Sequence, residues 1–195
     1  MDDATCATLR DRLVAARQDV DVPPLARRAA VAAALRVDSD GRDLEVLLMR
    51  RAERPSDRWS GQISLPGGHV DPGDRDEVAA AIRETDEEVG LDLVRDADVL
   101  GTLTPIQALA RGRRVDLWIT PVVFRYRGAG ALALGPEADD AFWLPLGPAG
   151  RGELDAEHRY EHEGVVVPLP SWRYGERVVW GLTHKILGEL LRVMA

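Results

Sequence analysis

The stretch Gly67-Gly68-His69-Val70-Asp71-Pro72-Gly73-Asp74-Arg75-Asp76-Glu77-Val78-Ala79-Ala80-Ala81-Ile82-Arg83-Glu84-Thr85-Asp86-Glu87-Glu88-Val89-Gly90-Leu91 decides how this chain is read. A polar loop rich in Gly, Pro and Asp runs to Asp74, and the spacing predicts a helix over Glu77–Val89, closed by Gly90 as a left-handed cap. At about 100° per residue Val78, Ile82 and Val89 fall together with Thr85 beside them, which predicts an inward face. Glu84, Glu87 and Glu88 gather on another side, with Glu77 earlier on the same stripe. On a solvated helix each like-charge pair costs a few tenths of a kcal/mol. In a cleft at about 6 Å and an effective dielectric near 20 it costs roughly 3 kcal/mol. A stripe facing bulk water is therefore a solvated acidic face, whereas one facing a pocket requires cations. Oxygen-only ligands suit Mg²⁺ or Mn²⁺, and such an ion keeps positions open for phosphate oxygens. Arg83 can reach back from the helix to a carboxylate of the preceding loop, and Pro66-Gly67-Gly68 permits close backbone approach.

Outward from this helix the chain has 195 residues, 25 Lys plus Arg against 33 Asp plus Glu, and a formal net charge of −8. That length is enough for one core without disulfides, and the single Cys6 forms neither an internal bridge nor a thiolate zinc site. Net acidity argues against general nucleic-acid binding. The longest apolar run, Ala29 to Leu35, is too short to span a bilayer, and no charged start precedes an apolar signal core, so the expectation is a cytoplasmic protein with no membrane partner.

Residues 4–18 read as a short amphipathic helix ended by Pro23-Pro24. Ala29–Val37 and Leu44–Met49, separated by Asp-Ser-Asp-Gly, read as a hairpin. Further strands are expected near 97–104, 115–125, 139–146, 164–169 and 177–180. Leu182, Ile186, Leu190 and Met194 recur every four residues in a closing helix that should dock on a sheet. Strands interrupted by two or three helices predict a mixed α/β or α+β sandwich.

The run from Gly67 to Leu91 resembles the signature of the Nudix hydrolases, G-x5-E-x7-R-E-U-x-E-E-x-G-U, and Arg83-Glu84-Thr85-Asp86-Glu87-Glu88-Val89-Gly90-Leu91 matches its second half almost letter for letter. Eight residues before Arg83 stands Arg75 instead of Glu, because the loop is one residue longer; Asp74 is the nearer substitute. Thr85 replaces an aliphatic residue. Upstream, Leu47-Leu48-Met49-Arg50-Arg51-Ala52 and Gly61-Gln62-Ile63-Ser64-Leu65-Pro66-Gly67-Gly68 look like the extra motif of the coenzyme A pyrophosphatase branch, with Met49 for Thr and Leu65 for Phe as departures. The resemblance implies an α/β/α sandwich over residues 26–195 behind a helical lead-in at 1–25. It also implies hydrolysis of a nucleoside diphosphate derivative, coenzyme A or its thioesters first, and is compatible with a homodimer.

On that basis Glu84, Glu87 and Glu88, with a backbone oxygen at Gly68, are expected to hold Mg²⁺ or Mn²⁺, and Arg83 to orient them. The general base is expected to be Glu87 or a loop acid, with Glu137 in Pro136-Glu137-Ala138-Asp139-Asp140 as the choice, although that stretch can equally be a solvated acidic turn. Arg51 and Arg58, with Gly67 and Gly68, are expected to meet substrate phosphates; Arg50 and Arg54 share that basic stretch, which can equally be a solvated loop. His158 and His162, four apart, would share a helical face, as a surface pair more readily than as zinc ligands. Trp143, Trp172, Tyr174 and Trp180 either stack on a base or fill core, and Arg111, Arg113 and Arg114 read as a basic loop. Rival readings are hydrolysis of ADP-ribose, a nucleotide sugar or a dinucleotide, a nucleotide sensor without turnover, and a helix with no ligand.

Overall fold

The computed structural model describes residues 1–54, 59–110, 113–162 and 164–195. Chain order is α1 (Asp3–Ala16), β1 (Arg27–Val37), β2 (Leu44–Arg51), β3 (Ile63–Ser64), β4 (Gly67–His69), α2 (Glu77–Val89), α3 (Leu93–Asp96), β5 (Ala97–Thr102), β6 (Ile106–Ala110), β7 (Arg113–Tyr126), β8 (Ala138–Pro145), α4 (Leu146–Gly150), β9 (Asp155–His162), β10 (Val165–Tyr174), β11 (Arg177–Trp180) and α5 (Gly181–Met194).

The alanine-rich β1 is the centre of a mixed eight-stranded sheet. It runs parallel to β7 from Arg27 opposite Leu117 to Leu35 opposite Arg125. On its other side it pairs antiparallel first with β4, Ala29–Val31 against His69–Gly67, and then with β2, Leu35–Val37 against Val46–Leu44. The expected hairpin is therefore confined to its last three pairs, and β1 leaves β2 to meet the glycines. Ala30, Ala32 and Ala34 pack with Leu47, Met49, Val122, Phe124 and the α2 residues Ala80, Ala81 and Val89 on one face. Ala33, Leu35, Val46, Leu48 and Val123 pack on the other with Leu9 and Leu13 of α1 and Ile186, Leu187 and Leu190 of α5. A strand covered on both faces carries no polar alternation, which explains the continuous apolar run. The result is the expected α/β/α sandwich. A second sheet, β11-β10-β9, contributes Trp172 and Val179 to the α5 side.

α1 ends at Ala16, well before Pro23-Pro24, with Arg17 already in extended backbone. Arg113 and Arg114 begin β7 instead of lying in a loop, and Arg111 is outside the described residues. His158 and His162 sit on strand β9, not on a helix. Four strand residues span about 13 Å against about 6 Å for four helical ones, so the helical spacing behind that reading does not apply. The His158 ring stacks on Trp180 at 4.3 Å, and Trp172 is buried beside His184. Tyr174 stacks on Phe142, and Trp143 on Tyr126. No helix among the described residues is long and apolar enough to cross a membrane.

Candidate active site

Helix α2 starts where the Asp76 carboxylate accepts the Ala79 N–H at 2.8 Å, and ends where Gly90, at φ 69°, donates to the Asp86 carbonyl. Its buried residues are Ala80, Ala81, Thr85, Glu88 and Val89, with Val78 and Ile82 half-buried. The inward arc is thus rotated toward the small residues, because alanine meets alanine between α2 and β1 and brings the two backbones close. Thr85 does not loosen this seam: its hydroxyl donates to the Ala81 carbonyl at 2.7 Å inside the helix. The rotation divides the acidic stripe. Glu88 is 2% exposed and turned to the sheet, Glu84 is half-buried beside it, and the Glu87 side chain is 58% exposed.

Gly67 and Gly68 pass directly beneath this edge of the helix. The Gly67 N–H donates to Glu88 Oε2 at 2.8 Å. A side chain at Gly68 would collide with the Glu84 carboxylate, whose carbon would lie 2.5 Å from the added Cβ. The glycine leaves room for a carboxylate, not for solvent. Burial pushes the Glu88 carboxyl up to about 7, against the opposing pull of the Gly67 N–H and of Arg51. The Glu84 carboxyl is also raised by burial, with Arg83 opposing.

Arg83 fastens the loop to the helix as the sequence led one to expect. Its Nε and Nη2 donate to the two oxygens of Asp74 at 3.2 and 2.9 Å, and Nη2 also reaches the His69 carbonyl at 3.1 Å. Nη1 donates to Glu84 at 2.9 Å and to Glu87 at 3.1 Å. Asp74 therefore stands where the longer loop needs a carboxylate, and the arginine fork holds it well below its usual range.

Two further segments close on this helix. Arg51, at the end of β2, places Nη1 3.8 Å from Glu88 Oε1. Glu137 lies close enough that its charge raises both Glu84 and Glu88, and its Oε1 accepts from Arg54 Nη1 at 3.0 Å. In the sequence Arg54 is one member of a basic stretch, and no local pattern tells that it meets an acid 83 positions away. Arg58 falls outside the described residues.

Among the described residues no three carboxylate, imidazole or thiolate groups already converge at ion-binding distance. The acidic trio is spread by Arg83, which occupies oxygens of Glu84 and Glu87, while Glu88 bonds to Gly67. The donor set nevertheless fits a hard divalent cation. It is oxygen-only, two of its carboxylates lie one turn apart against a glycine backbone, and the most buried one has too little positive charge around it to stay ionised cheaply.

The family profile described as NUDIX domain matches residues 26–164. The human mitochondrial coenzyme A diphosphatase NUDT8 is 34% identical over 157 residues, 77% of this chain and 63% of that protein. The chain thus spans under two thirds of the human protein. Its mouse counterpart is 30% identical over 154 residues, 77% of this chain and 70% of the mouse protein. The crystal structure of a Caenorhabditis elegans Ap4A hydrolase binary complex superposes with a TM-score of 0.52 at 25% identity, covering 64% of this chain and 84% of that one. With the signature sequence on α2, the sandwich around it and these relatives in agreement, the chain belongs to the Nudix hydrolase family.

Proposed function

We propose that this protein is a Mg²⁺- or Mn²⁺-dependent pyrophosphohydrolase that cleaves the diphosphate of coenzyme A or its thioesters to 3′,5′-ADP and (acyl-)4′-phosphopantetheine. The observation that carries the chemistry is the pair Glu84 and Glu88, held one above the other against Gly67 and Gly68 with Glu88 buried. Glu84, Glu87 and Glu88, with the Gly68 carbonyl, would hold the ion, which when bound supplies neutralisation of the diphosphate oxygens and a more acidic water. Arg83 keeps Glu84 and the loop in place through Asp74. Arg51 and the backbone of Gly67 and Gly68 border the space for substrate phosphate. Glu137 and Glu87 are the candidates to accept the proton of the attacking water. In that step water oxygen bonds to one phosphorus, the bond from that phosphorus to the bridging oxygen breaks, and the bridging oxygen departs with the other phosphate.

What supports coenzyme A over other nucleoside diphosphates is the Leu47–Gly68 stretch together with the similarity to coenzyme A diphosphatases. The likeness to an Ap4A hydrolase structure favours a dinucleotide as second reading. One panel decides between them: coenzyme A, acetyl-coenzyme A, ADP-ribose, a nucleotide sugar and Ap4A, each with Mg²⁺ and Mn²⁺, with products identified by chromatography. Release of 3′,5′-ADP and a phosphopantetheine at the highest kcat/KM is expected; preferred cleavage of Ap4A or ADP-ribose overturns the coenzyme A assignment. Glu84→Gln and Glu88→Gln should each lose at least about 100-fold in turnover, and near-normal turnover of both at saturating metal overturns the hydrolytic scheme itself.

A further inference from the structure

We propose that Gly135 and Arg54 are positioning residues that set Glu137 against α2, Gly135 by letting its loop lie flat on the last turn of the helix and Arg54 by gripping the loop from the strand side. This rests on the hydrolase reading given above. The last carbonyls of a helix have no partner within it. Here the loop before β8 supplies them: the Ala133 N–H donates to the Val89 carbonyl and the Gly135 N–H to the Glu88 carbonyl, both at 2.9 Å. That approach leaves no space for a side chain at Gly135, where an added Cβ would collide with the Glu87 carbonyl oxygen and lie 3.4 Å from Glu88 Cα. Two residues on, the Glu137 carbonyl accepts the Ala52 N–H at 2.9 Å. Arg54 closes the strap, Nη1 on Glu137 Oε1 at 3.0 Å and Nη2 on the Pro136 carbonyl at 2.9 Å.

The consequence is a fixed register. Residue 88 presents its carboxylate to the site and its carbonyl to the strap, so Glu137 is located relative to the backbone of Glu88 itself. Displacements of about 1 Å in such a set cost on the order of 100-fold in rate. Gly135 touches neither substrate nor reacting atoms, and its effect has to pass through Glu137.

The test is a double-mutant cycle on the full chain with the best substrate of the panel. Gly135→Ala should lower kcat about 10- to 100-fold with KM within about 2-fold. Arg54→Gln should lower kcat about 3- to 10-fold. Glu137→Gln combined with either should be no slower than Glu137→Gln alone. Near-native kcat, or losses that multiply with that of Glu137→Gln, overturns the proposal while leaving the hydrolase reading intact. If Gly135→Ala shows no cooperative melting, the Arg54→Gln arm decides by the same criteria. If the wild-type protein cleaves none of the diphosphates, the hydrolase reading has failed. The positioning role, which acts through Glu137 as proton acceptor, falls with it.

Discussion

At Gly67 an added methyl group would run into the backbone of β1, 2.6 Å from Val31 Cα, on a residue whose φ of 150° suits glycine. At Gly68 the obstacle is only the carboxylate end of Glu84, a side chain that can swing. The two neighbours should therefore fail differently. Gly67→Ala is expected to lower unfolding free energy by at least about 2 kcal/mol. Gly68→Ala should stay within about 1 kcal/mol of wild type in urea unfolding, yet weaken Mn²⁺ binding about 10-fold or more by pushing Glu84 aside. Glu88 gives a second test. Its folded value of about 7 exceeds the ordinary glutamate value of 4.5, so the folded state binds the extra proton and the ionised form is the destabilising one. The penalty is absent below the unfolded value and grows as pH rises through 7, by about 2 kcal/mol between pH 5.5 and 8.5. His158 and His184, lowered by burial, act in the opposite direction as pH falls, so the clean measure is the difference between wild type and Glu88→Gln. With a chelator present, that variant should gain stability over wild type as pH increases; parallel pH curves for the two proteins would refute the assignment.

Helix α2 was legible to the residue, from Glu77 to Val89, because an amphipathic pattern and a glycine cap agree, and the structure adds the Asp76 side-chain N-cap. Which of its faces turns inward was less so: alanines carry little hydrophobic weight on a wheel, yet here they make the contact, and the acids ride in beside them. Strand β9 was missed for a related reason. Asp155, Glu157, Arg159 and Glu161 alternate with His158 and Tyr160 on a hairpin largely exposed to solvent, so no apolar alternation marks it. Arg83 was read correctly because its partner Asp74 lies in the adjoining loop, whereas the meeting of Arg54 with Glu137 depends on how β2 and β8 pair. At this scale Asp74→Asn should release the loop: the Asp74 side chain is 7% exposed and receives both prongs of Arg83. A loss of about 1–3 kcal/mol is expected in denaturant titration, together with reduced turnover because Arg83 is freed to bind Glu84 and Glu87 more tightly. Unchanged stability and unchanged turnover would show that the arginine does not need this anchor.

Across the whole molecule the sheet is covered twice, and the two covers are unequal in kind. The α2 side carries the site and is lined by alanines; the other is built from larger side chains, Leu9 and Leu13 of α1 interleaving with Ile186, Leu187 and Leu190 of α5. α1 lies before residue 26, where the family profile begins, yet its Cys6, Leu9 and Leu13 are 1%, 4% and 1% exposed. Gly101 of β5 leaves the seat for Leu13, since a Cβ there would stand 3.3 Å from its side chain. Asp3 pairs with Arg125 of β7 at 2.5 Å, and Arg12 donates to the carbonyl of Met194, tying α1 to the end of α5. Three buried apolar side chains at about 1.5–3 kcal/mol each total about 4.5–9 kcal/mol, comparable with the roughly 5–15 kcal/mol that a folded domain holds in reserve. Removal of residues 1–16 should accordingly lower the urea midpoint steeply, and Leu13→Ala alone should cost about 2–4 kcal/mol. Both changes lie across the sheet from Glu84 and Glu88, so Leu13→Ala, assayed well below its melting temperature, should keep kcat within about 2-fold of wild type. A truncated chain with an undiminished midpoint would mean that α1 only rests on the sheet, and a Leu13→Ala protein that is stable but slow would mean that the two faces are coupled through β1.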